Sequence, residues 1–404
     1  MKVRIGRGTA KGAVSAPPSK SMAHRLLICA GLSDGECIVH GISDSEDMLA
    51  TMDCLRALGV QCEREKDTVK VSGIDIRKAV ASEKLNCRES GSTLRFFVPI
   101  ALLTGKETVF AGSRRLMERP LSVYEELFLQ RGIAFQKTER EIRTRGSLRY
   151  GSFEMDGNVS SQFVTGLLLA LPLLEGDSRI VLRPSVESRS YINMTLSALK
   201  LFGVEAGWQE ENVLYIKGNQ CYHAEEVFVE GDYSNAAFFE ALNLLGGQVK
   251  IENLRKDSLQ GDRVYEELFE ALKRPGAELD LSDCPDLGPV LFAAAAAKHG
   301  GKFNGTSRLK IKESNRGEAM AEELRKFGVT VEVLENQVIV SRPGLRKPEE
   351  NLDGHNDHRI VMSEAVLLTQ TGGIIDGAEA VSKSFPDFFE KLASLGIEVE
   401  KIEN

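Results

Sequence analysis

The 404-residue chain has one tryptophan, Trp208, seven cysteines, six histidines and no surplus of basic residues. Each shortage excludes something. The cysteines (Cys29, Cys37, Cys54, Cys62, Cys87, Cys221 and Cys284) form no CxxC pair. An odd, scattered set reads as reduced thiols, expected in the cytoplasm, rather than as a disulfide framework. The histidines show neither an HExxH nor a finger spacing, so no metal is expected. With 51 basic against 59 acidic residues the net charge is −8. That balance argues against a broad nucleic-acid or membrane surface but leaves room for a local basic pocket. The greasiest run, GLLLALPLL from Gly166 to Leu174, is too short to cross a bilayer. The opening MKVRIGRGTAKG has no apolar leader core, so the protein is expected to stay in the cytoplasm.

Nucleotide signatures are missing too. Gly6, Gly8 and Gly12 run into Pro17 instead of a helix, and Gly300-Gly301-Lys302 is followed by Phe303. The dinucleotide fingerprint and the Walker loop are thereby excluded, and no cofactor is expected.

What the chain has is repetition. A phrase of the form L-x-x-x-G, one residue shorter in the second copy, followed by a strand-like run occurs as LRALGVQCE, LQRGIAFQ, LKLFGVEA, LKRPGAEL, LRKFGVTVE and LASLGIEVE. Its glycines, Gly59, Gly132, Gly203, Gly276, Gly328 and Gly396, are separated by 73, 71, 73, 52 and 68 residues. Glycine suits the left-handed position after a helix, and β-branched residues suit the strand that follows. Each phrase ends a unit that begins with a strongly apolar, hence buried, helix, such as MAHRLLICAGL or GPVLFAAAAAKHG. A short strand, a charged loop and an amphipathic helix come between. Five units finish with another strand (TVKVSG, EIRTRG, LYIKG, AELDLS, QVIVSRPG); the sixth has none, and the opening KVRIGRG has the pattern it lacks. The expected architecture is α/β, with two similar lobes of three repeats: residues 13–230, and residues 1–12 plus 231–404. The chain would cross between them near Ala16-Pro17-Pro18 and near Glu230-Gly231.

The polar residues ahead of the six apolar helices read SKS, ESGST, SSQ, GDYSN, CPD and NDHR. Helix capping explains the serines, aspartates and asparagines. It does not require Lys20, Arg25 or Arg359, and cations beside helix N-termini point to phosphate or carboxylate. A second set lies in loops: Arg114, Arg115, Arg119, Ser188, Arg189, Lys310 to Arg316, and Lys383. Such residues are usually solvated, but equivalent loops of equivalent repeats would converge on one cleft. Two phosphate esters carry roughly 3 to 4 negative charges, and two carboxylates would add more. The seven cations Lys20, Arg25, Arg119, Lys312, Arg316, Arg359 and Lys383 fit two small anionic substrates. Asp286 and Glu313 stand among them, either as a cap and an ion-pair partner or as proton carriers whose different neighbours separate their pKa values.

The phrases PSKSMAHR, GSTLR, RLMERP, VSSQF, VEGD, CPD, KESNR, NDHR and SKSFPDF resemble, in order and approximate spacing, those of the EPSP synthase family. The resemblance covers essentially the whole chain. It implies the enolpyruvyl transferase inside-out α/β fold, with three βαβαββ units per lobe and buried helices. The implied activity moves the enolpyruvyl group of phosphoenolpyruvate to the 5-hydroxyl of shikimate 3-phosphate, releasing phosphate through a tetrahedral intermediate. By motif position, shikimate 3-phosphate would meet Lys20, Ser21, Arg25, Ser160, Ser161, Gln162, Ser188, Asp286 and Lys312. Phosphoenolpyruvate would meet Lys20, Gly91, Arg119, Gln162, Arg316, Arg359 and Lys383. Asp286 would accept the hydroxyl proton and Glu313 would help protonate the methylene carbon. The implied protein is a monomer without nucleic-acid or membrane partners.

Two positions depart from the family's pattern, Glu89 and Arg308, where an asparagine is usual. Gly91 matches the small residue beside phosphoenolpyruvate and implies sensitivity to glyphosate. The sister transferase acting on UDP-N-acetylglucosamine carries a loop cysteine that GSRRLMERP lacks. A non-catalytic phosphometabolite sensor would not need Asp286 and Glu313 together. An RNA-end enzyme on a related repeat would need a basic, aromatic groove.

Overall fold

The computed structural model describes residues 1–81, 83–158, 160–184 and 186–402. Val159 of VSSQF and Ser185, ahead of Ser188, lie outside them. The described residues form two compact units, Pro18–Glu230, and Met1–Pro17 with the residues from Gly231 onward. Each has its own apolar core, in which one fully buried leucine contributes about 1.5–3 kcal/mol. Among the described residues no helix is long and apolar enough to cross a membrane.

In the Pro18–Glu230 unit the helices are α1 (Lys20–Gly31) and α2 (Glu46–Ala57), then α3 (Gly91–Ala101), α4 (Arg114–Glu118) and α5 (Ser122–Leu129), then α6 (Ser161–Ala170) and α7 (Arg189–Leu201). The apolar helices α1, α3 and α6 begin at the polar phrases. Ser19, Ser90 and Ser160 cap them, accepting hydrogen bonds from the amides of Met22 (3.4 Å), Thr93 (3.1 Å) and Gln162 (3.3 Å). Each satisfies an otherwise orphaned N–H. From Phe163 to Ala170 every residue of α6 is buried, and α1 is buried from Met22 to Gly31. Helices this apolar must form the core.

The sheets repeat as well. Leu85–Asn86, Thr108–Ala111, Glu141–Arg145 and Ala134–Lys137 lie side by side in that order, the first pair parallel and the others antiparallel. Ser152–Asp156, Ser178–Arg183, Val213–Ile216 and Ala206–Glu210 repeat the pattern. The first repeat takes its leading strand from the far end of the unit, where Glu226–Phe228 runs parallel to Glu36–His40.

The other unit holds α8 (Tyr233–Leu244), α9 (Tyr265–Leu272), α10 (Gly288–Ala297), α11 (Arg316–Lys326), α12 (His358–Thr371) and α13 (Phe388–Ser394). In its last sheet the N-terminal strand Lys2–Ile5 lies between Gly373–Asp376 and Val399–Ile402, antiparallel to both. All six repeat glycines adopt positive φ, from 69° at Gly132 to 99° at Gly59. That conformation turns the chain from helix to strand with no Cβ penalty.

Two sequence expectations change. AELDLS does not close the fourth repeat; Glu278–Asp280 pairs in parallel with Gly301–Asn304 and leads the fifth. The fourth repeat has two strands, Lys11–Ser15 beside Gln248–Glu252. The missing hairpin is why Gly276 and Gly328 are only 52 residues apart. That same strand pairing draws residues 13–17 away from the 13–230 lobe. The change of unit falls after Pro17, where the Asp232 amide donates to Pro17 O (2.8 Å) and the Ser19 amide to Glu230 O (2.7 Å).

Candidate active site

In the Pro18–Glu230 unit, Lys20 is the first residue of α1, and its Nζ donates to Asp47 Oδ2 of α2 at 2.8 Å, a pair only 14% and 10% exposed. One turn on, Arg25 is buried. Its Nε donates to Thr195 Oγ1 (2.8 Å), its Nη2 to Thr165 Oγ1 (3.2 Å) and Tyr191 O (3.1 Å), and its Nη1 to Ser21 O (2.5 Å). Arg25 thus braces α1 against α6 and α7 with most of its donors.

A second guanidinium organises the other predicted residues. Arg95, buried on α3, donates through Nη1 to Gln162 Oε1 (2.8 Å) and through Nη2 to Pro120 O (3.1 Å), next to Arg119. Gln162 Nε2 donates to Ser92 Oγ (2.8 Å), beside Gly91. A Cβ on Gly91 would lie 2.6 Å from Arg119 Cζ, so only glycine leaves that guanidinium its place. Ser160 and Ser161 form the N-terminus of α6, and Ser188, buried with φ 53°, precedes α7.

The other unit gathers the remaining candidates. Arg316 opens α11 and is 1% exposed; its Nη1 donates to Asp286 Oδ1 (2.8 Å), Nη2 to Glu313 Oε2 (2.7 Å) and Nε to Asp357 Oδ2 (2.9 Å). Lys312 Nζ lies 3.1 Å from Asp286 Oδ1 and Arg359 Nη2 lies 3.3 Å from Oδ2. Asp357 also caps α12, accepting from the Arg359 amide (3.0 Å). Lys383 is buried and donates to Asn356 O (2.5 Å). Arg359 Nε and Nη1, also buried, take no hydrogen-bond partner among the described residues and are suited to an anion.

Burial opposes ionisation of Asp286, but the charges of Arg359, Lys312 and Arg316 outweigh it and hold the carboxyl well below its usual range. Asp357 is lowered as well, burial again being outweighed by Arg316. Asp262, buried and accepting from Ser234 Oγ, goes the other way: burial first, then the charge of Asp286, pushes it up to about 7. Burial lowers Lys312. The expected cation surplus is therefore tempered here, with Asp286, Glu313 and Asp357 facing Lys312, Arg316 and Arg359.

Some predicted cations lie aside. Arg114 pairs with Glu118 at 2.9 Å on the surface, Arg115 lies 4.0 Å from the same carboxylate, and Arg189 stacks 3.9 Å above Trp208. Arg308 is buried and donates to Ser282 O, and Glu89 is half-buried. Four organising residues escaped the sequence reading: Asp47, Arg95, Asp262 and Asp357. Arg95 and Asp357 stand inside quoted phrases, yet spacing alone does not distinguish a hub from a cap.

Comparison with known proteins identifies the family. The model of the family EPSP synthase (3-phosphoshikimate 1-carboxyvinyltransferase) matches residues 6–392. The chain is 39% identical over 419 residues to the 3-phosphoshikimate 1-carboxyvinyltransferase of Clostridium botulinum (strain Alaska E43 / Type E3), covering 97% of each. It is 39% identical over 426 residues to that of Clostridium kluyveri, covering 99% of this chain and 98% of the relative. Its fold is that of the EPSP synthase structure from Acinetobacter baumannii, with TM-score 0.78 and 24% identity over 99% of this chain and 100% of the other. On the strength of the family match and these full-length relatives, the chain belongs to the EPSP synthase family.

Proposed function

We propose that the chain transfers the enolpyruvyl group of phosphoenolpyruvate to the 5-hydroxyl of shikimate 3-phosphate, releasing phosphate, on the route through chorismate to the aromatic amino acids. The observation that carries the reading is Asp286: a carboxylate held by Lys312, Arg316 and Arg359, with Glu313 on the same Arg316 guanidinium.

In this reading Lys20, Gly91, Arg119, Gln162, Arg316, Arg359 and Lys383 receive phosphoenolpyruvate. Lys20, Ser21, Arg25, Ser160, Ser161, Gln162, Ser188, Asp286 and Lys312 receive shikimate 3-phosphate. The cations hold two mutually repelling anions in a reactive pose. Protonation of the methylene carbon, assisted by Glu313 and Lys20, makes the adjacent carbon electrophilic. The 5-hydroxyl adds to that carbon while Asp286 accepts its proton. The tetrahedral adduct then loses phosphate from that carbon and a proton from the new methyl group, which restores the double bond.

A carboxylate held well below its usual range is a weak base. Substrate phosphates drawn onto Lys312 and Arg359 would offset the charges that depress Asp286 and raise its basicity when the hydroxyl arrives. Seven free cysteines and the lack of a membrane-length helix among the described residues support a cytoplasmic site of action. We take the active form to be a monomer, which light scattering after size exclusion tests.

The deciding experiment is phosphate release from phosphoenolpyruvate with each acceptor. Release with shikimate 3-phosphate and none with UDP-N-acetylglucosamine is expected. Release with the nucleotide sugar alone, or with neither, overturns the reading.

A further inference from the structure

Adjacent residues of α1 anchor two buried hydrogen-bond chains that run in opposite directions. Arg25 reaches Thr195 and Thr165, which bond to each other at 2.9 Å, tying α1 to α7 and α6. His24 reaches the other way. Its Nδ1 lies 2.7 Å from Thr51 Oγ1 of α2, which lies 2.9 Å from Thr93 Oγ1 of α3, which donates to Ser90 Oγ at 2.8 Å. His24, Thr51, Thr93 and Ser90 are at most 1% exposed.

The protons in this second chain have one consistent direction. Thr93 spends its hydroxyl proton on Ser90, so it accepts from Thr51, and Thr51 accepts from His24 Nδ1–H. The bare nitrogen is then Nε2, which has no partner among the described residues. Burial, helped by Lys20 and Arg25, keeps the ring neutral, as a single-tautomer donor requires. The chain ends at the oxygen that caps α3 just before Gly91. It also lies one turn below the Lys20–Asp47 contact, since His24 follows Lys20, and Thr51 follows Asp47, by four residues.

We propose that His24, Thr51 and Thr93 are positioning residues for phosphoenolpyruvate: their buried chain fixes the N-terminus of α3, which carries Gly91, against α1 and α2. The Arg25, Thr195 and Thr165 chain does the same for the shikimate 3-phosphate side. The inference rests on the substrate assignment given above.

The test is a KM split. Thr51→Val removes the central hydroxyl and keeps the branched shape; it is expected to raise the KM for phosphoenolpyruvate and the Ki for glyphosate about tenfold, the worth of one hydrogen bond. The KM for shikimate 3-phosphate should stay within about twofold, well under that step. Thr51→Ser should restore the wild-type value, and Thr165→Val should show the opposite split. If both KM values rise together, if neither moves, or if serine fails to rescue, the proposal is wrong. Should Thr51→Val not fold, Thr93→Val and Thr93→Ser read the same link. Arg119→Met separates the two levels. If it leaves the KM for phosphoenolpyruvate unchanged, the substrate assignment itself has failed; if it raises that KM while Thr51→Val does not, only the positioning chain has failed.

Discussion

Arg316 Nη1 lies 2.8 Å from Asp286 Oδ1, while Nη2 of the same guanidinium lies 2.7 Å from Glu313 Oε2. One planar cation therefore sets the spacing of the two carboxylates assigned to proton transfer. Lysine has the charge but not the fork. Arg316→Lys should lower kcat about 100-fold, as expected when reacting groups lose their alignment. It should also destabilise the fold by about 3 kcal/mol, because buried Asp357 and its neighbours lose a partner. Steady-state kinetics and urea unfolding measure the two effects; wild-type turnover in this variant would contradict the role given to the fork.

Gly91 and Arg119 make a second pair with a clear consequence. A methyl group on Gly91 would press on the Arg119 guanidinium, whose Cζ is 2.6 Å from the added carbon. Gly91→Ala should raise the KM for phosphoenolpyruvate at least about tenfold, the equivalent of roughly 1.4 kcal/mol, with that for shikimate 3-phosphate little changed. Glyphosate inhibition should weaken in parallel. Equal shifts for both substrates would place Gly91 outside the phosphoenolpyruvate site.

Glu313→Gln keeps an acceptor for Arg316 but cannot supply a carboxyl proton. Its kcat should fall about 100-fold or more, the usual worth of a general acid, with shikimate 3-phosphate binding retained by calorimetry. A variant with unchanged kcat would leave Glu313 as an ion-pair partner only.

Asp262 gives a stability signal. It sits at about 7 in the folded chain, against about 3.9 for an unperturbed aspartate, so the native state keeps a proton that the unfolded chain releases. The stabilisation from that proton is complete below about pH 4 and is lost as pH rises toward 7, on the order of a few kcal/mol. Asp262→Asn cannot titrate, so its stability should decline less between pH 4 and 7 than that of the wild type. Urea midpoints across that range decide it, and parallel pH profiles would refute the raised value.

Much of this was legible before any coordinates. The six glycine phrases located the turn that ends each amphipathic helix because a left-handed residue serves there, and their spacing even held the trace of the short fourth repeat. AELDLS was misassigned because a strand's own pattern does not say which neighbour it pairs with. Ser19, Ser90 and Ser160 cap their helices as their residue types dictate. Lys20 and Arg359 were found because cations at helix starts need a reason, and Arg316 because equivalent loops of equivalent repeats were expected to converge. Of their counter-charges Asp286 and Glu313 were found with them, but three were not: Asp47 and Asp262 sit in segments with no repeated phrase, and Asp357 looked like any other cap. Arg25 was read as a ligand contact, yet its hydrogen bonds are mostly those of a brace, a distinction that needs the positions of Thr165 and Thr195.

Turnover and affinity measured together on Asp286→Ala are the most direct test of enolpyruvyl transfer at this carboxylate. Phosphate release should fall below one thousandth of the wild-type rate, about what loss of a general base together with its charge would cost, while calorimetry still shows shikimate 3-phosphate binding. Near-normal phosphate release from the variant would contradict it.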